Sequence, residues 1–197
     1  MQIDYKRLQK KIIFFFFFAD ELPRECEMLG NNYKYILGNC YYIEATAYDI
    51  TESSGNCRDR FNSLGNGGRL FEPKNQITND AVIQVARRTV TPSLNFFFLG
   101  IQDSNSQNNW QYISNNKNVS WFYWHSGQPN NDNGNSEDCV GNIDYGGSDY
   151  TWSDIPCGLK DVSICEMTTE GIFFYFTPTI VTCGLDFFNP VFKGLFT

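Results

Sequence analysis

The sequence predicts an α+β domain, with two helices flanking small antiparallel sheets and one long loop-rich region. Three observations carry this. Segments with strand-like patterns lie on either side of two helix-like segments, the order α+β chains show. The stretch 103–147 is dominated by Asn, Asp, Ser and Gly and is broken by isolated aromatics. Seven cysteines run through 197 residues. That is too many for a routine cytosolic domain, and it points to an oxidising compartment and a disulfide framework. The length suits one domain with tails, or at most two small ones.

Taken in order, the N-terminus has two readings. Lys6, Arg7, Lys10 and Lys11 precede an apolar run from Ile12 to Ala19. A basic segment, a short apolar run and Ala19 before Asp20 fit a signal peptide over 1–19, although Phe17 is bulky where a small residue is wanted. The other reading is a buried or membrane-touching hydrophobic strand. From Cys26 to Glu44 the chain reads as short strands: Tyr33, Tyr35 and Leu37 alternate, Gly38-Asn39 turns, and Cys40 to Ile43 continues as β. Thr51 to Phe61 is read as a helix, with Thr51 and Ser53 offering capping oxygens. Gly65-Asn66-Gly67-Gly68 ends it as a turn; no phosphate loop is implied, because no Lys-Ser/Thr follows. Ala81, Val82, Val85 and Ala86 mark the apolar face of a second helix over Asn79 to Arg87. Thr89 to Leu94, with Pro92, is a linker. Phe96 to Ile101 is wholly apolar and reads as a buried strand.

The stretch 103–147 is too punctuated to be one regular element and too aromatic to be simply disordered. An ordered loop of that length needs disulfides or metal to hold it. Strand-like segments follow at Val140 to Ile143, Thr151-Trp152 and Val162 to Glu166. The last thirty residues, 168–197, form an apolar tail with Phe173, Phe174, Tyr175, Phe176 and Cys183, whose role the sequence leaves open. No apolar run reaches the ~18 residues needed to span a bilayer.

The formal net charge is -7 and the pI about 4.7. This acidic balance argues against nucleic acid as a partner, whose phosphates need a positive footprint. Acidity combined with many Asn residues favours oxygen ligands for a hard cation such as calcium. His125 is the only histidine, and one His beside Ser126 defines no catalytic triad. No enzyme activity is expected. Asn118-Val119-Ser120 is a glycosylation sequon in a plausible surface loop.

From Cys26 to Glu166 the ordered pieces resemble a C-type lectin-like domain. Gly38-Asn39-Cys40-Tyr41-Tyr42 is similar to the family's opening strand. Cys57 sits in the first helix, followed by Gly68-Arg69-Leu70, Pro73 and Asn75. Phe98-Leu99-Gly100-Ile101 is similar to the core strand. Trp124 and Gly127-Gln128-Pro129-Asn130 lead to Glu137-Asp138-Cys139, and Trp152-Ser153-Asp154 leads to Cys157 and then Cys165-Glu166. The resemblance implies a domain over 26–167 in the long form of the fold, with a long calcium-binding loop region. It also implies three disulfides, Cys26–Cys40, Cys57–Cys165 and Cys139–Cys157. Cys183 is left over and could join two copies of the chain.

The resemblance further implies calcium and sugar ligands at Gln128, Asn130, Glu137, Ser153 and Asp154, with Pro129 in a cis bond between the first two. The sugar would place two vicinal hydroxyls on the ion. Three departures matter. Gln128-Pro129-Asn130 matches neither the mannose-type nor the galactose-type motif, so the sugar stays open. Ser153 stands where sugar binders of the family have Asn, and its hydroxyl is shorter. Two carboxylates, Glu137 and Asp154, replace three, which predicts weak calcium binding; Asp132 could make up the missing charge. An auxiliary calcium site would use Asp103, Gln107, Asp132 and Asp138. Trp110, Trp121, Trp124 and Trp152 are expected in the core. The loop from Asn130 to Ser136 has no aromatic for a galactose face to stack on. The expectation is therefore a secreted, calcium-dependent lectin that binds glycans. The alternative is a lectin-like protein that binds a protein or another non-sugar ligand.

Overall fold

Two four-stranded antiparallel sheets meet over one core in the computed structural model, which describes residues 21–90, 96–104, 108–132, 136–146 and 150–168. The N-terminal apolar run, the C-terminal tail with Cys183, and Gln107 lie outside these residues. No described helix is long and apolar enough to cross a membrane.

The described residues begin with a helix, α1 (Glu21–Met28), which runs into the segment from Cys26 where strands were expected. Its residues lack β-branched side chains, and most are good helix formers. Cys26, fully buried, is bonded to Cys40 and so pins α1 to the first hairpin. That hairpin joins β1 (Tyr33–Ile36) to β2 (Asn39–Ile43), with Ile36 opposite Asn39. The turn is therefore Leu37-Gly38, one residue earlier than the sequence reading. Both residues have positive φ, 47° and 89°, the conformation whose twist matches a two-residue hairpin.

Helix α2 (Ile50–Asp59) is capped by Asp49, not by Thr51 or Ser53. Its carboxylate accepts from the Thr51 and Glu52 amides, and Glu52 reaches back to the Asp49 amide. This is a reciprocal capping box. A short 3₁₀ turn (Asn62–Leu64) follows and ends at Gly65. The glycine stretch is only half a turn: Gly67 and Gly68 open strand β3 (Gly67–Leu70). A Cβ at Gly68 would run into the Cys57 carbonyl and the Phe61 ring. Glycine thus lets the strand lie directly on α2.

Helix α3 (Gln76–Thr89) is longer than its apolar stripe suggested. Asn75 caps it, accepting from the Thr78 amide at 2.9 Å. It is followed by β4 (Phe96–Asp103), β5 (Trp110–Tyr112), β6 (Cys139–Ile143), β7 (Trp152–Ile155) and β8 (Ile164–Thr168). The sheets run β1-β2-β8-β3 and β5-β4-β6-β7. The three-residue β5, which the sequence reading took as loop, pairs with the end of β4 through Asp103 opposite Trp110.

Alternate residues of β4 feed two halves of one core: Phe97, Leu99 and Ile101 pack with Trp152, Val82 and Ile83, while Phe96 and Phe98 pack with Phe61, Leu70 and Ile155. Disulfides join Cys57 to Cys165 and Cys139 to Cys157. The first links α2 to β8, and so ties the early and late parts of the domain together.

Candidate functional site

The site grows from the β6–β7 pair and the loop that precedes it. Val140 lies opposite Asp154, so the Glu137 that precedes β6 and the Asp154 of β7 are held near each other. The tryptophans position the loop. Trp152 is fully buried and donates its indole N–H to Asn79 at 2.8 Å. Trp124 packs edge-on against Trp152 and tilted on Trp110. The 123–125 backbone runs beside β7, with the His125 amide donating to the Trp152 carbonyl and the Trp152 amide to Tyr123. Trp110 and Trp152 are buried, and Trp121 and Trp124 pack against the same core. All four therefore serve the scaffold.

From there the chain turns through Gly127, with φ of 88°, into a cis Gln128–Pro129 bond. The loop is laced to the two carboxylates by its own backbone. Asp154 accepts from the Asn130 amide at 3.1 Å and the Asn131 amide at 2.7 Å. Glu137 accepts from the Asp132 amide at 2.8 Å, while its own amide donates to the Asn131 side chain at 3.1 Å. The Asn130 side-chain oxygen accepts from the Asp132 amide at 3.0 Å. Gln128, Asn130, Glu137, Asp154 and Asp132 thus belong to one loop-and-strand constellation.

Its electrostatics are uneven. Glu137 and Asp154 are both buried, with 9% and 4% of their surface exposed. Burial pushes the Glu137 carboxyl above its ordinary range; the Asp132 amide opposes this, and the charges of Asp154 and Asp132 add to it. Among the described residues, no three His, Cys, Asp or Glu side chains gather as a metal-binding group. Any ion here would need amide oxygens, and one is available: the Gln128 side-chain oxygen is buried and accepts no hydrogen bond. A buried carbonyl without a partner is costly. A cation would satisfy it.

Ser153 sits differently. Strand alternation sends its side chain to the face opposite Trp152 and Asp154. There its hydroxyl hydrogen-bonds the Tyr145 hydroxyl. Tyr145 stacks on His125, with ring centroids 3.8 Å apart and planes 15° apart. His125 in turn meets the Thr151 hydroxyl at 3.1 Å. His125 is therefore part of a stacked cluster and not a simple exposed loop residue. Sequence reasoning missed Tyr145. The available signal was an aromatic set in the otherwise polar turn Asp144-Tyr145-Gly146-Gly147.

The auxiliary set is only partly gathered. Asp103 accepts from the Asn108 and Asn109 amides at 2.7 and 2.9 Å, so its carboxylate closes the β4–β5 turn. Its amide donates to the Asp138 carbonyl at 2.7 Å, which brings Asp103 beside Asp138. Asp132 is instead bound to Asn130 and Glu137. Asn118, of the sequon, is exposed and accepts from the Gln111 side chain at 3.1 Å.

Residues 39–167 match a family model described as the lectin C-type domain. Among curated relatives, C-type lectin domain family 4 member D from Homo sapiens is 27% identical over 66% of this chain and 54% of its own length. A perlucin-like protein from Mytilus galloprovincialis is 27% identical over 73% of this chain and 83% of its own. The chain thus spans about half the length of the human relative and most of the mussel one. The crystal structure of the C-type lectin CEL-I from Cucumaria echinata superposes with a TM-score of 0.61, at 17% identity, over 72% of this chain and 98% of that one. A calcium-independent type II antifreeze protein gives 0.52 at 21% identity, over 68% and 90%. Both show the fold alone. With its family match spanning well over half of the sequence, the chain belongs to the C-type lectin domain family, whose members bind ligands and do not catalyse reactions.

Proposed function

We propose that this chain is a secreted, calcium-dependent carbohydrate-binding domain. The observation that supports it most directly is the buried Gln128 carbonyl oxygen with no hydrogen-bond partner, in the same constellation as Asn130, Glu137 and Asp154. Hard oxygen donors of this kind suit calcium. Gln128, Asn130, Glu137 and Asp154 would hold the ion, with Ser153 at the margin because its hydroxyl is engaged by Tyr145. Bound calcium would supply a positive centre for two vicinal sugar hydroxyls, which the amides and carboxylates around it can also hydrogen-bond. With two carboxylates contributing, affinity for the ion is weak, and Asp132 adds charge at its edge. An auxiliary ion at Asp103, Gln107, Asp132 and Asp138 is a further part of the same reading.

The three disulfides favour an oxidising compartment and so support export, with 1–19 as the signal segment. Sugar sites of this sort gain strength from multivalency, and Cys183 offers a link between copies. Asn118 is exposed and open to glycosylation.

The test is retention of the full chain on mannose- and galactose-bearing resins in calcium, with release by chelator. Retention on neither would reject the sugar-binding reading. One observation favours a second reading, a protein or other non-sugar ligand bound without calcium. The Ser153 hydroxyl and both Asp154 oxygens are already engaged within the protein. On that reading Asn130→Ala and Glu137→Ala leave partner binding intact.

A further inference from the structure

Away from the loop-and-strand constellation, the outer edges of the two sheets leave a hollow. Strand β3 ends the first sheet and β5 ends the second. Strand β4 and Glu72 stitch them together. The Gly100 amide donates to the Phe71 carbonyl at 2.7 Å, the Ile113 amide to Gly100 at 2.9 Å, and the Ser114 amide to the Glu72 side chain at 3.0 Å. The result is a cavity of about 360 Å³, walled by α2, β3, the turn after β5 and the last residue of β8. It shares no residue with Gln128, Asn130, Glu137 or Asp154, which lie beside β6 and β7 towards the other edge of the second sheet.

Part of the lining is charged and already paired. The Glu72 side chain is fully buried; one oxygen takes the Ser114 amide, and the other takes Lys74 at 3.1 Å with Arg69 at 3.6 Å. Arg69 also holds Glu166 at 2.6 Å. The carboxylates are therefore neutralised by their own partners. Arg58 is not. It stands in the last turn of α2, exposed, and its side chain pairs with none of the described residues. A basic residue in a last helical turn is ordinary; this one lines a cavity. In and beside it, Arg58, Arg69 and Lys74 face Glu72 and Glu166, a positive surplus in a chain of net charge -7. The other walls add hydrogen-bond donors. Ser54 and Ser114 contribute hydroxyls, and Asn115 contributes its amide N–H groups, because its side-chain oxygen already accepts from the Lys117 amide at 2.9 Å.

The geometry points to a second binding site, which receives the oxyanion of a sulfate or phosphate monoester carried on a body the size of one sugar ring. The Arg58 guanidinium is a planar fork that pairs with two oxygens of such an anion. Ser54, Ser114 and Asn115 donate to the oxygens that remain. A carboxylate has only two oxygens and would leave the donors on the opposite wall unused. Small-ligand sites start at about 300 Å³, so this cavity suits a single ring and its ester group. No metal takes part, and the site goes beyond the lectin reading without depending on it.

The full chain is titrated calorimetrically, in chelator, with glucose 6-sulfate, glucose 6-phosphate, glucose and inorganic sulfate. At least one ester is expected to bind and glucose is not; the tighter ester names the source of the oxyanion. Arg58→Gln, which keeps a good helix former, lowers the affinity about tenfold, as loss of a charge-assisted pair does. Ser114→Ala, on the opposite wall, lowers it by a smaller factor. Arg88→Gln removes the same charge from an exposed position on α3 and leaves the affinity unchanged. Melting curves check that each variant folds, and Arg58→Lys, which keeps the charge and loses the fork, falls between parent and Arg58→Gln. The proposal is overturned if neither ester binds in chelator, if glucose binds as tightly, or if Arg88→Gln weakens binding as much as Arg58→Gln. Inorganic sulfate binding as tightly as the esters overturns the sugar-sized body. None of these outcomes bears on the calcium-dependent resins above, which test the lectin reading separately.

Discussion

On the calcium-dependent reading proposed above, Gln128 bears on the strength of the site. As an amide it would offer calcium a neutral oxygen, and its buried carbonyl has no hydrogen-bond partner within the described residues. Gln128→Glu would place a third carboxylate in the constellation without changing the side-chain length. Calcium affinity is expected to rise about tenfold, since affinity follows ligand charge. Calorimetric titration of the two proteins checks this; equal affinities would mean that the Gln128 side chain does not reach the ion. The candidate ligands at this scale were legible because they stand in short motifs with fixed spacing. Tyr145 was not, because its relation to Ser153 and His125 depends on a return of the chain between β6 and β7. No local pattern encodes that return. The engagement of Ser153 was hidden for the same reason: the sequence shows a hydroxyl but not the neighbour that occupies it.

Among elements, the long ones were the easiest to read. The buried strand β4 announces itself by its apolar run and α3 by its apolar spacing, and α2 was read close to its true bounds although its cap is Asp49. The short pieces failed. Three-residue β5 lacks the length for a periodic pattern and forms because Asp103 turns the chain back onto β4. The first half of β3 reads as a glycine turn, yet its glycines are there for close packing. Gly68→Ala tests that directly. The added methyl meets the Cys57 carbonyl, which is helix backbone and cannot swing aside, together with the Phe61 ring. Overpacking of this kind costs about 1–3 kcal/mol, and the rigid neighbour places this variant at the upper end. Chemical denaturation would show it. A loss below about 0.5 kcal/mol, the size of an ordinary surface change, would mean that α2 and β3 separate more easily than their contacts indicate. β8 carries a second prediction at this scale. Burial pushes the Glu166 carboxyl up to about 7 although Arg69 lies 2.6 Å away. Between the ordinary value of 4.5 and about 7, the folded protein keeps a proton that the unfolded chain has released. Stability from this group is therefore fully present below 4.5 and is lost as pH rises towards 7. Denaturation midpoints at pH 5 and pH 7.5 should differ less in Glu166→Gln than in the parent. An unchanged difference would show that Glu166 stays ionised against Arg69 throughout.

For the whole molecule, the question is how a domain with so much irregular chain stays in one arrangement. The fold class follows from the order of elements, but cysteine pairing does not follow from spacing, because six cysteines allow fifteen connectivities. Resemblance supplied the pairs, and the structure shows what they do mechanically. Cys57–Cys165 closes 108 residues between α2 and the central strand β8, whereas Cys26–Cys40 closes 14 between α1 and the first hairpin. If a disulfide acts mainly by restricting the unfolded chain, the long loop should matter more: about 4–5 kcal/mol against about 3 kcal/mol for the short one. Domains of this size hold only about 5–15 kcal/mol in total, so loss of the long bridge removes a large share of it. The Cys57→Ala/Cys165→Ala and Cys26→Ala/Cys40→Ala double variants, unfolded in denaturant, should therefore rank in that order. The position of the long bridge reinforces the ranking, since β8 pairs with both β2 and β3, and the Ser163 carbonyl just before it receives the Glu44 amide. Releasing α2 from β8 frees the strand on which the first sheet is built. Releasing α1 frees a short helix and leaves β2 paired with β1 and β8. A reversed ranking would mean that α1 and its hairpin, rather than the joining of the domain's two ends, hold the first sheet together.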